Sequence, residues 1–124
     1  MRLIKLIIKP MDITFANTSL KKQLNEEKAM IKAHGPLRTK KLKIVLTQLR
    51  AAPSLAIFAP PMSAPHRCHE LTGNRKGQLT VDLDHPYRLV FIPEHDPLPQ
   101  RAEGGLDWKQ VINIKIIAIE DTHG

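Results

Sequence analysis

Apolar residues recur along this chain with two periods, and the change from one to the other divides it near its middle. Leu42, Val45, Leu46 and Leu49 stand at i, i+3, i+4 and i+7, the stripe of an amphipathic helix, which Pro53 ends. Upstream, Leu20, Leu24 and Ile31 fall within a narrow arc of a second helix. Asn17, Thr18 and Ser19 each suit its N-cap, and it is expected to run to about Ala33. Gly35 suits the C′ position of that helix and Pro36 the first turn of the next, so the pair reads as a helical hairpin. Met11 to Ala16 alternates instead, with Ile13 and Phe15 on one face of a strand. Ser54 to Ala59 suits one further helical turn before Pro60, Pro61 and Pro65 interrupt regular structure.

From His66 onward the two-residue period takes over. His66–Leu71, Gln78–Asp84, Tyr87–Ile92 and Val111–Glu120 are the expected strands. Leu79, Val81 and Leu83 share one face of the second, with Thr80, Asp82 and Asp84 on the other. Short turns join the first three into an antiparallel meander. Pro93, Pro97, Pro99, Gly104 and Gly105 mark 93–107 as a long loop. In the last strand Ile112, Ile114 and Ile116 lie on one face and Ile117 and Ile119 on the other, which predicts an interior position. The fold class is therefore α+β: an N-terminal strand, a helical hairpin, then a mainly antiparallel sheet of about four further strands. The helices cover one face and leave the other open.

At 124 residues the chain suits a single domain over 11–124, with residues 1–10 read as an N-terminal extension set off by Pro10. The net charge of +7 points to an anionic partner, or to lysines that simply solvate a helix face. That charge is uneven: residues 1–50 hold 12 Lys/Arg against 3 Asp/Glu (+9), and residues 51–124 hold 7 against 9 (−2). One cysteine, Cys68, excludes an internal disulfide, and no apolar run approaches the roughly 20 residues of a membrane span. A cytoplasmic protein is expected, with no membrane partner.

Chemistry gathers between His69 and Phe91. The turn Gly73-Asn74-Arg75-Lys76-Gly77 sets two adjacent cations between glycines, an arrangement suited to a phosphate backbone. Arg88 shares a strand face with Val90 and Ile92, so its charge needs either a salt bridge to Asp82 or Asp84 or an open cleft. Arg75, Lys76, Arg88 and His69 would rim a concave basic surface. Arg67 is a further candidate contact. His66, Cys68 and His69 invite a zinc reading, but strand alternation sends His66 and Cys68 away from His69, and no fourth ligand is evident. No metal or other cofactor is expected. Aromatics make up only 4% of residues, so base stacking cannot dominate RNA binding.

The segments HELTGNRKGQ and HPYRLVF and the terminal Glu120-Asp121-Thr122-His123 resemble the pattern of HigB-like toxins (plasmid maintenance killer proteins) of the RelE/ParE toxin superfamily. The likeness covers roughly 12–123 and includes the element order. It implies a ribosome-dependent messenger-RNA endonuclease, without cofactor, neutralised by a cognate helix-turn-helix antitoxin. Carried over by position, it implies His69, Arg88, Asp121 and His123 as catalytic residues; the reading of the residues themselves puts Arg75 and Lys76 on RNA phosphates, with Arg67 as an extra contact. Two positions depart from it: Thr122 stands where the family usually has tyrosine, and Thr72 where it often has lysine. Those departures keep open a non-enzymatic inhibitor of the gyrase-poison type on the same fold, and a catalytically inert regulatory member of such a pair.

Overall fold

The structure, a computed structural model, describes residues 9–122. The expected N-terminal extension therefore lies almost wholly outside the described residues, as does His123. The chain runs β1 (Asp12–Phe15), α1 (Thr18–Asn25), α2 (Glu27–Ala51), β2 (His69–Glu70), β3 (Leu79–Asp82), β4 (Tyr87–Pro93) and β5 (Asn113–Asp121). One mixed sheet holds all five strands in the order β1-β5-β4-β3-β2, with β1 parallel to β5 and the other pairs antiparallel. The α+β architecture expected from the periodicities is the one observed. Among the described residues no helix is long and apolar enough to cross a membrane.

Asn17 begins α1 as its cap: the Leu20 N–H donates to Asn17 Oδ1 at 2.8 Å, satisfying an orphan donor of the first turn. The single helix expected up to Ala33 does not form. Glu26 takes extended backbone angles and splits it. The phase of the stripe shifts there, so Leu20 and Leu24 are buried while Ile31 is exposed and Met30 takes its place in the core. Gly35, at φ +79°, breaks α2 before Pro36 restarts it, as the Gly-Pro pair suggested. Beyond that kink the apolar stripe performs as read. Leu42, Val45, Leu46 and Leu49 are all buried, each stabilising the fold by roughly 1.5–3 kcal/mol.

They pack against Leu79, Val81, Leu89, Phe91, Ile114 and Ile116 of the sheet. A 3₁₀ turn, Leu55–Phe58, follows α2, with the Ala56 N–H donating to Ser54 Oγ. The proline-rich loop is tightened by a bridge between Gln100 and Leu106 and followed by a 3₁₀ turn, Trp108–Gln110.

Three strand expectations are corrected. The strand read as His66–Leu71 shrinks to His69–Glu70, because Arg67 takes φ +49°, which no strand accommodates. Asp84 leaves the face it was read to share with Asp82, since β3 stops at Asp82 and a turn takes over. The register of β5 slips: Phe91 pairs with Ile116 but Val90 with Ala118, which leaves Ile117 as a bulge. Ile119 thus returns to the core face, opposite Leu89, instead of joining Ile117 on the far side. Ile112 precedes the strand and is exposed.

Candidate functional site

The face turned away from the helices carries His69 on β2, Thr80 and Asp82 on β3, and Arg88 and Val90 on β4. By register it also carries Ala118 and Glu120 on β5. Its middle is dry, with Thr80 and Val90 buried. The polar cluster lies toward the hairpin that joins β3 to β4.

Arg88 is its centre. Its side chain is only 12% exposed; Nε donates to Asp82 Oδ1 at 3.1 Å and Nη1 to Thr122 Oγ1 at 2.8 Å. A guanidinium so far from water requires such partners. Arg67 approaches the other Asp82 oxygen at 3.8 Å. Arg75 donates through Nε to Gln78 Oε1 at 2.9 Å and pairs through Nη2 with Glu120. The surface is not the basic patch read from the sequence, because Asp82 and Glu120 stand among the three arginines. A cleft of about 110 Å³ opens here, lined by Arg67, Asp82, His85 and Arg88 among others.

His69 lies on the same face, two strands from Arg88 and two residues along, so roughly 12 Å between Cα atoms by strand geometry. Its Nδ1 sits 3.0 Å from the Arg67 carbonyl oxygen. A carbonyl only accepts, so Nδ1 carries the proton and Nε2 of the neutral ring keeps the lone pair needed for a base.

Asp121 pairs across from Tyr87, and alternation sends it to the helix-covered side, away from Arg88. Thr122, the next residue, is the one that meets the guanidinium. Lys76 is exposed on the far side of the basic turn, where it lines a separate cavity with Glu70, Pro93 and Leu98. Arg88, Arg67 and Arg75 are thus brought together with the chain's last described residue; Asp121 and Lys76 face elsewhere.

Three residues that the sequence reading left out of the site belong to the cluster: Asp82, Glu120 and His85. The sequence offers Asp82 only as a salt-bridge partner of Arg88. Once Arg88 is assigned to the open face, Asp82 follows from alternation along β3. Glu120 could not be found that way, since its orientation depends on the bulge at Ile117. Cys68 is buried, and loss of hydration pushes its thiol up to about 12, which suits packing and not nucleophilic attack. His66 turns toward Phe58, the rings 5.7 Å apart and edge-on. Among the described residues no group of three His, Cys, Asp or Glu side chains gathers at metal-binding range.

Two solved structures are similar to this chain. One is the YoeB dimer from Staphylococcus aureus, 15% identical over 89% of this chain and 94% of that one, with a TM-score of 0.49. The other is the YoeB–YefM complex from Staphylococcus aureus, 14% identical over the same shares, also at 0.49. No family model and no curated protein matches the chain.

Proposed function

We propose that this chain is a HigB-like toxin of the RelE/ParE superfamily, with 11–124 as its single domain. It acts in the cytoplasm on messenger RNA held by the ribosome, and a cognate helix-turn-helix antitoxin restrains it. Cleavage without a metal needs a base for the 2′-hydroxyl, a cation for the charge that builds on phosphorus, and an acid for the leaving 5′-oxygen. In this reading Arg88 is the cation and His69 and His123 exchange the protons. Arg67, Arg75 and Lys76 hold flanking phosphates, and Asp121 steadies the chain end.

The observation that carries the reading is the Arg88 guanidinium, fixed between Asp82 and Thr122 at the open end of the sheet. It brings the chain's last described residue to within 2.8 Å of the cation. Support also comes from the element order and from the His69 tautomer. The test is induced expression in bacteria. Growth arrest with cut messages is expected, and Arg88→Ala combined with His123→Ala should abolish it. Undiminished arrest by a well-expressed double variant would overturn the assignment.

A second reading has one observation in its favour: a threonine hydroxyl occupies Arg88 where the resemblance expects tyrosine. It makes the chain a non-enzymatic inhibitor of the gyrase-poison type or an inert regulatory member of a pair. Arrest with DNA damage and intact messages would identify the former, and no arrest the latter.

A further inference from the structure

Among the described residues two that are not glycine have positive φ, Met62 at +66° and Arg67 at +49°, and one loop holds both. A residue with a Cβ keeps that conformation only where its neighbours enforce it, and such strain gathers at functional sites. This loop is tied on every side. The Met62 N–H donates to the Cys68 carbonyl at 2.9 Å and the Arg67 N–H to the Ser63 carbonyl at 2.9 Å. The His66 carbonyl accepts from the Asp82 N–H of β3 at 2.8 Å. These bonds fix the backbone before and after Arg67, so its bend is anchored to the sheet.

The bend sends the two ends of Arg67 to two parts of the site. Its carbonyl oxygen lies 3.0 Å from His69 Nδ1, the contact that keeps the ring proton on that nitrogen. Its guanidinium reaches Asp82 Oδ2 at 3.8 Å, and the other oxygen of that carboxylate takes Arg88 Nε at 3.1 Å. A strand conformation at Arg67 would turn the carbonyl sideways into the plane of the sheet, away from the His69 ring on the open face. Without that acceptor the proton is free to move to Nε2, which then has no lone pair to receive another. His69 and Arg88 stand about 12 Å apart by strand geometry, and Arg67 touches His69 itself and the carboxylate that holds Arg88.

We infer that Arg67 is a positioning residue: its strained backbone sets His69 as a base, and its side chain steadies the Asp82–Arg88 pair. With Nδ1 holding its proton against the Arg67 carbonyl, Nε2 is left to accept the proton of the 2′-hydroxyl. The inference rests on the nuclease reading and gives Arg67 a task in it beyond a flanking phosphate.

Two variants of the full chain separate the two arms. Arg67→Gly keeps the carbonyl in place, because glycine takes positive φ freely, and removes the guanidinium. Arg67→Val removes both, because a β-branched residue resists positive φ. Ring ¹⁵N shifts of His69 read its tautomer without any turnover. The proton is expected on Nδ1 in the wild type and in Arg67→Gly, and shared with Nε2 in Arg67→Val. Cleavage of a message on ribosomes is measured alongside. Arg67→Gly should raise KM severalfold, and Arg67→Val should in addition lower kcat about tenfold per folded molecule. A wild-type ring with its proton on Nε2, or a folded Arg67→Val with an unmoved tautomer, would overturn the inference. So would a displaced proton in Arg67→Gly, a variant that decides the matter even if the valine variant does not fold. A wild type that holds the Nδ1 proton but cuts no message would overturn the nuclease reading and leave the orientation of His69 by Arg67 standing.

Discussion

Two arginine–aspartate pairs flank the hairpin that joins β3 to β4, one on each side of the sheet. On the helix side Arg38 of α2 donates to both Asp84 oxygens, at 2.9 and 3.2 Å, and its guanidinium stacks 3.5 Å from the Tyr87 ring centroid. On the open side Arg88, the residue after Tyr87, holds Asp82 and Thr122. Composition does not separate them, and both are largely buried. Their surroundings do. The Arg38 fork is spent on one carboxylate and one ring, so it clamps helix to hairpin. Arg88 shares its carboxylate with Arg67 and borders an open cleft, which is where the proposed function puts the RNA phosphate.

If that contrast is right, the two arginines fail differently. Arg88→Ala should lower message cleavage per folded molecule by about 10²–10³, the usual cost of removing one preorganised donor, on top of a lower urea midpoint from its lost contacts. Arg38→Ala should lower the midpoint alone. Losing a partly buried ion pair costs about 2 kcal/mol, read as a lower urea midpoint, while cleavage per folded molecule is retained. An Arg38 variant that folds normally but does not cut would dissolve the distinction.

Acid sharpens the comparison further. Burial opposes the charge on Asp84, but the Arg38 hydrogen bond and the Arg38 and Lys41 charges outweigh it and hold the carboxyl below its ordinary 3.8. A depressed folded-state pKa means that this stability is present above 3.8 and is lost as pH falls through the folded value. Asp84→Asn should therefore flatten the acid limb of stability. His34, beside the same clamp, is also depressed, first by burial and then by Arg38. It binds a proton more readily unfolded, so stability is full above 6.5 and declines as pH falls below it. His34→Gln should remove part of that slope between neutral and mildly acid urea titrations. The smallest effect expected is from Thr122→Ala. It removes one hydrogen bond to Arg88, at about 1 kcal/mol, and should lower cleavage severalfold at most.

Much of this was legible in the chain. The helix stripe at Leu42–Leu49, the Gly35-Pro36 break, the order of elements and the placement of Arg88 on the open face all follow from spacing, because each rests on local backbone geometry. The break at Glu26 carried no such signal, and the Arg67 kink that trims β2 sits inside a run that otherwise reads as strand. Asp82 as the partner of Arg88 was anticipated as an alternative. Asp84 departs from the alternation because the strand stops at Asp82.

What the sequence determined by itself was the list of groups available to the open face and the strands that bring them there. What it could not determine was which terminal residue meets Arg88. Read without interruption from Ile114 and Ile116 in the core, β5 would send Asp121 to the guanidinium and Thr122 away from it. One extra residue, Ile117, reverses the alternation and delivers Glu120 and Thr122 instead. A bulge arises where strand pairing, sheet twist and core packing compete across neighbouring strands. That competition does not exist until the strands are side by side.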